Sequence, residues 1–279
     1  MKNKLFDLVM PILPKNDLSH WVGRLVHASV PEPLGRKSVE MFAKAYDIDL
    51  SEAELPVESY KTIGELFMRK LKPGARPIAN APVVHPADAV VTEGGTIEGG
   101  TLIQAKGKTY SVSELLKTGK WSKGFEGGEY MTYYLCPTDY HRVHSPVDGK
   151  VVWSSHIPGE LWPVNDWSVN AIHNLFAVNE RVALVIETPR GRVALVMVAA
   201  TNVGNMTMTF DTSIRTTVRP SGRAVSEHVY TPGLDIHRGD EVGIFRMGST
   251  VVMLYEKGVL KAPADQLRGR TRMGAAASI

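Results

Sequence analysis

Arg181-Val182-Ala183-Leu184-Val185-Ile186-Glu187 and Arg192-Val193-Ala194-Leu195-Val196-Met197-Val198 flank the tetrapeptide Thr188-Pro189-Arg190-Gly191. Two apolar runs around a Pro/Gly turn predict a β-hairpin. Neither arm alternates with polar residues, so both strands are expected to be buried on two faces. Working outward, Glu129 to Leu135 is aromatic and strand-like, and Asp148-Gly149-Lys150 introduces a strand at Val151-Val152-Trp153. No alternation of strands with helices and no Gly-rich phosphate loop accompanies these runs, which argues against a Rossmann-type enzyme.

Before about residue 79 the texture is helical. Asn16 and Asp17 cap a segment whose apolar residues Leu18, Trp21, Val22, Leu25 and Val26 fall on one stripe, ended by Pro31 and Pro33. A second helix is expected from Lys37 to Tyr46. Thr62 and Glu65 form a capping box for a third, from Ile63 to Leu71, stopped by Pro73-Gly74. The expected fold class is therefore α+β. A helical region over 1–78 precedes a mostly antiparallel β catalytic domain over 79–279. The tail from Gly269 to Ile279, basic and rich in small residues, reads as flexible.

At 279 residues the chain can bury a substantial core. A net charge of +3 is too small to argue for nucleic acid. The single cysteine, Cys136, precludes an intramolecular disulfide framework, fits a reducing compartment, and reads as a buried strand residue rather than a nucleophile. No apolar run approaches the roughly 20 residues that span a bilayer. Met1-Lys2-Asn3-Lys4 and the apolar Leu5 to Leu13 imitate a signal peptide, but Asp7 interrupts the run and no clean cleavage site follows. His141 and His144 lack the four-residue spacing of helical zinc sites, and no third ligand presents itself, so no metal is expected.

Four segments, in order, carry a resemblance. They are Phe67-Met68-Arg69-Lys70-Leu71-Lys72-Pro73-Gly74-Ala75-Arg76-Pro77, His85-Pro86-Ala87-Asp88, Tyr140-His141-Arg142-Val143-His144-Ser145-Pro146, and His237 to Thr250, which ends Phe245-Arg246-Met247-Gly248-Ser249-Thr250. Together they resemble the phosphatidylserine decarboxylase proenzymes, a pyruvoyl-dependent family. Met247 and Val242 depart from that family's usual Leu and Met by mild apolar exchanges.

The resemblance implies cleavage between Gly248 and Ser249. A glycine before the serine permits backbone conformations that a Cβ forbids, so the peptide there can be strained towards attack by its own hydroxyl. An N-to-O acyl shift gives an ester on the serine oxygen. β-Elimination then frees the upstream carboxylate, and loss of ammonia leaves a pyruvoyl group at Ser249, the covalent cofactor. Such a ketone takes a substrate amine as a Schiff base and accepts electrons as PLP does. By the same resemblance Asp88, His144 and Ser249 form the self-cleavage triad, the carboxylate orienting the imidazole that serves as base. His141 falls to substrate handling or proton donation; which of the two histidines is the donor stays open. The strand period places His141 and His144 on opposite sides unless the chain bends near Pro146. Residue by residue the plainer readings also stand: a Gly-Ser turn, two strand histidines bonded to carbonyls, and a turn aspartate.

The substrate implied is phosphatidylserine, decarboxylated to phosphatidylethanolamine. The Leu5–Leu13 and Leu18–Ala28 segments, with Lys2, Lys4, Lys15 and Arg24, are expected to lie on an anionic membrane surface. That makes the protein peripheral on the cytoplasmic face of the cell membrane, and the resemblance adds a homodimer of cleaved units. A pyruvoyl decarboxylase of a soluble amino acid and a non-enzymatic β-rich binding module are the alternatives. A serine hydrolase is disfavoured because no G-x-S-x-G elbow surrounds Ser249.

Overall fold

The computed structural model describes residues 34–105, 107–201, 206–214, 216, 224–246, 249–261 and 263–277. The helix expected from Asn16 lies outside them. Helix α1 spans Leu34–Ala45, close to the expected Lys37–Tyr46. Its buried Val39 and Ala43, one turn apart, pack with Ile48, Tyr60 and Leu66 in a small cluster separate from the main core. Helix α2 spans Ile63–Phe67 and starts as the capping box predicts, with Thr62 Oγ1 accepting from the Glu65 N–H at 3.1 Å. The Glu65 carboxylate reaches back to the N–H of Lys61 rather than that of Thr62.

The helix does not continue to Leu71. Its backbone turns at Met68 because the following residues pair with the chain before them. Glu54 N–H donates to Lys70 O, Lys72 N–H donates to Glu52 O, and Leu71 bridges Ala53. Such non-local pairing leaves no trace in helical periodicity.

The strands are β1 (Ala89–Thr96), β2 (Thr101–Ala105), β3 (Lys108–Ser111), β4 (Glu129–Leu135), β5 (Arg142–His144), β6 (Gly149–Ile157), β7 (Arg181–Thr188), β8 (Gly191–Val198), β9 (Met206–Met208), β10 (Ser226–Ile236), β11 (Glu241–Phe245), β12 (Ser249–Tyr255) and β13 (Gly269–Thr271). Eight form one antiparallel sheet in the order β10-β6-β7-β8-β12-β4-β1-β13, and β5-β11-β9 form a second. The expected hairpin is β7–β8, and its apolar stretches are buried as the unbroken runs require. Residues 112–125 cover part of the sheet with Leu115, Leu116, Trp121 and Phe125. The fully buried Arg181 guanidinium ties this layer to the hairpin by donating to the carbonyls of Glu114 and Leu115.

Two further expectations fail. Cys136 is half-buried just beyond the end of β4, not inside the strand. The tail is ordered through Ala277: β13 pairs with β1, Ala276 bridges Val84, and Ala277 N–H donates to Val83 O. Small residues allow this close backbone approach, which composition alone reads as looseness.

Candidate active site

Strand β11 belongs to the small sheet and β12 to the large one, so the Gly248–Ser249 bond falls at the passage between sheets. Gly248 lies outside the described residues. Ser249 opens β12 in register with Leu135, and Thr250 pairs with both Tyr134 and Val198. The strand that would begin with the new terminus is thus central in the large sheet. The residues from Cys136 to His141 run from the end of β4 to β5.

His141 is fully buried just before β5. Its carbonyl accepts from the Phe245 N–H, four residues before Ser249. Its Nδ1 lies 2.8 Å from the Asp139 carbonyl, which can only accept, so Nδ1 carries the proton. Burial lowers its pKa to about 4 and keeps the ring neutral near pH 7. Nε2 is therefore a bare lone pair, and among the described residues it has no hydrogen-bond partner. The Phe67 ring packs edge-on against the imidazole, with centroids 4.8 Å apart.

His144 repeats this tautomer. Its Nδ1 donates to Gly239 O at 2.7 Å, and its Nε2 faces the Tyr140 hydroxyl at 3.2 Å. Burial again lowers its pKa, favouring the neutral form. Both imidazoles thus present an unprotonated Nε2, as a general base requires.

Asp88 sits two residues beyond Pro86, whose carbonyl accepts the His144 N–H. The two side chains share this corner without hydrogen-bonding each other. Instead Arg76 grips the Asp88 carboxylate with Nε at 2.9 and 3.1 Å and Nη2 at 2.5 Å. The backbone N–H of Met273 also donates to Oδ1 at 2.9 Å. His85 is buried three residues earlier with Nδ1 2.9 Å from the Tyr133 hydroxyl, and burial lowers its pKa to about 4.

Sequence reasoning passed over Arg76, Tyr140 and Phe67 as individual actors, although each lies inside a quoted segment. Met273 acts through its backbone and carries no side-chain signal. The Cys136 thiol is a poor nucleophile, since burial and the neighbouring Asp139 raise its pKa.

At the head of β12 a cavity of about 250 Å³ is lined by Phe42, Tyr46, Phe67, Leu135, Ala200 and Thr201. Phe67 separates it from His141, and Leu135 is the register partner of Ser249. A ketone formed at the start of β12 would stand in register with Leu135, which also lines this apolar cavity. The residues fit such a group. Among the described residues no cluster of ligands suits a metal ion, and no helix is long and apolar enough to cross a membrane.

Comparison with known proteins gives the family. The family described as phosphatidylserine decarboxylase matches residues 63–278. A phosphatidylserine decarboxylase proenzyme of Anaeromyxobacter sp. (strain K) is 43% identical, over 99% of this chain and 100% of its own length. Proenzymes of the same name from Myxococcus xanthus (strain DK1622) and Brevibacillus brevis are each 40% identical. They are covered over 91% and 96% of their lengths, and this chain over 92% and 97%.

Proposed function

The chain belongs to the phosphatidylserine decarboxylase family, and on that premise we propose that it is a self-maturing enzyme converting phosphatidylserine to phosphatidylethanolamine. The observation that supports the reading is the pair of neutral, buried imidazoles on the segment that pairs with β11, His141 opposite Phe245 and His144 opposite Glu241. His144 is the base for the Ser249 hydroxyl, and the charge of Asp88 favours the imidazolium that proton transfer creates. His141, with its unpartnered Nε2, handles a proton during turnover. A pyruvoyl group at Ser249 would supply a ketone able to condense with the substrate amine and to delocalise the electron pair left behind when carbon dioxide departs.

The apolar cavity beside Phe67 receives the non-polar part of the lipid adjoining its headgroup. Residues 1–78 form the membrane-associating region, residues 79–279 the catalytic one, and two cleaved units pair as a homodimer on the cytoplasmic face of an anionic membrane. The test is denaturing mass spectrometry of the purified protein alongside Ser249→Ala. Cleavage before Ser249, with the 249–279 fragment one ammonia lighter than a serine terminus, is expected for the native chain alone. A cleaved, active Ser249→Ala protein refutes the mechanism. An active native protein that remains a single chain does so too.

A further inference from the structure

The segment that holds Asp88 is itself held by the last residues of the chain. His85 N–H donates to Ala275 O and Gly274 N–H donates to His85 O, at 2.8 and 3.0 Å. Ala277 N–H donates to Val83 O, Ala79 N–H donates to Gly274 O, and Val84 bridges Ala276. On its other side the same segment meets the small sheet's entry, where Val84 N–H donates to Pro146 O and His144 N–H to Pro86 O. Residues 83–88 are thus a middle strip between the tail and His144. The strip ends on Asp88, where the tail contributes the Met273 N–H directly to the carboxylate. Arg76 completes the grip and is anchored in turn on Glu52 at 2.8 Å.

We infer that residues 273–277 are a positioning strap for self-cleavage, which, with Arg76, fixes the Asp88 carboxylate beside His144. The inference rests on the triad reading above. A carboxylate with free rotation samples many orientations, whereas one gripped by a guanidinium fork and a backbone N–H is fixed in direction. The strap lies twenty-four residues beyond Ser249. Maturation therefore waits for synthesis and docking of nearly the whole chain. Met273 and Gly274 donate their N–H groups to Asp88 and His85, and among the described residues neither hydrogen-bonds His141 or β12.

Two substitutions disturb the strap without removing it. Met273→Pro deletes the N–H that Asp88 accepts. Gly274 sits at φ +82°, and a Cβ there would lie 2.7 Å from Pro77 O, so Gly274→Ala displaces the strap's turn. Arg76→Lys keeps the charge and loses the fork. Maturation of freshly synthesised full-length chains is followed by denaturing mass spectrometry, with Asp88→Asn in parallel. Turnover per mature terminus is measured on phosphatidylserine vesicles.

Loss of a hydrogen bond to a charged group predicts maturation slowed about tenfold or more in Met273→Pro and Gly274→Ala. Arg76→Lys is expected to slow maturation similarly, and turnover per mature terminus is retained in Met273→Pro and Gly274→Ala. Wild-type maturation in the strap variants while Asp88→Asn is blocked overturns the strap and leaves the triad standing. A parallel fall in turnover per mature terminus shows general damage and also overturns it. Wild-type maturation of Asp88→Asn removes the triad reading, and the strap's role with it.

Discussion

Lowering the pH from 7 to 5 should destabilise this fold through its buried histidines, by an amount the structure allows to be worked out. His85 and His141 are 6% and 0% exposed, and burial holds both pKa values at about 4 against an ordinary 6.5. Between those values the unfolded chain binds protons that the folded chain refuses. Stability is therefore complete above the window and falls as pH drops through 6.5 towards 4. For one such histidine the loss between pH 7 and pH 5 is about 2 kcal/mol, so the two together lose about 4 kcal/mol. Against a typical total of about 5–15 kcal/mol, that is a large share. His144, also lowered, adds in the same direction. Asp139 opposes it, because burial raises its pKa and the folded state gains as that carboxyl protonates.

Differences between variants isolate each histidine from these other groups. Ser249→Ala keeps the molecule one covalent chain, so unfolding in urea is unimolecular at both pH values. His85→Gln and His141→Gln, each placed in that background, should reduce the pH 7 to pH 5 loss by about 2 kcal/mol apiece. Comparing each variant with itself at two pH values cancels what the substitution does to packing. A loss unchanged by both substitutions would refute the argument that burial keeps these rings neutral.

Two further outcomes follow from the same geometry. The lowered pKa of His144 places the acid limb of maturation below pH 6.5, so cleavage of freshly refolded proenzyme should hold its rate from pH 8 to pH 6.5; a decline above pH 6.5 contradicts its role as base. The side chains of Val251 to Tyr255 are all fully buried, and at about 2 kcal/mol each they hold the 249–279 fragment by roughly 10 kcal/mol. Native size-exclusion chromatography of mature protein should give one peak containing both chains, and a small fragment eluting alone contradicts this.

Much of the architecture was legible because it is written in local pattern. The unbroken apolar arms around Pro189 announce strands buried on both faces, and the Thr62/Glu65 spacing announces a helix start. The errors at the helix end and in the tail share a cause, which is backbone hydrogen bonding between distant segments. Helix α2 stops early because residues 70–72 pair with 52–54, and the tail is ordered because it pairs with 79–88. Neither partnership depends on side-chain periodicity. The candidate site divides in the same way. The motifs bring forward the residues whose side chains have distinctive chemistry, Asp88, His141, His144 and Ser249. They are silent on the groups that aim them: the Gly239 and Asp139 carbonyls, the Tyr140 hydroxyl and the Met273 N–H.

That division bears on the order of events. Strand β12 cannot form its ladders with β4 and β8 until both the hairpin and the strand ending at Leu135 exist. The groups that set the tautomers of His141 and His144 likewise come together only when the small sheet closes, since Gly239 lies ninety-five residues from His144. A nascent chain ending soon after Ser249 would contain every residue of the motif set and lack the β13 edge and the Met273 contact. The scissile bond is thus sequence-local while its activation is distributed over the fold. On this reading, cleavage follows folding, and the fragment it releases from covalent continuity is already locked into the middle of the sheet.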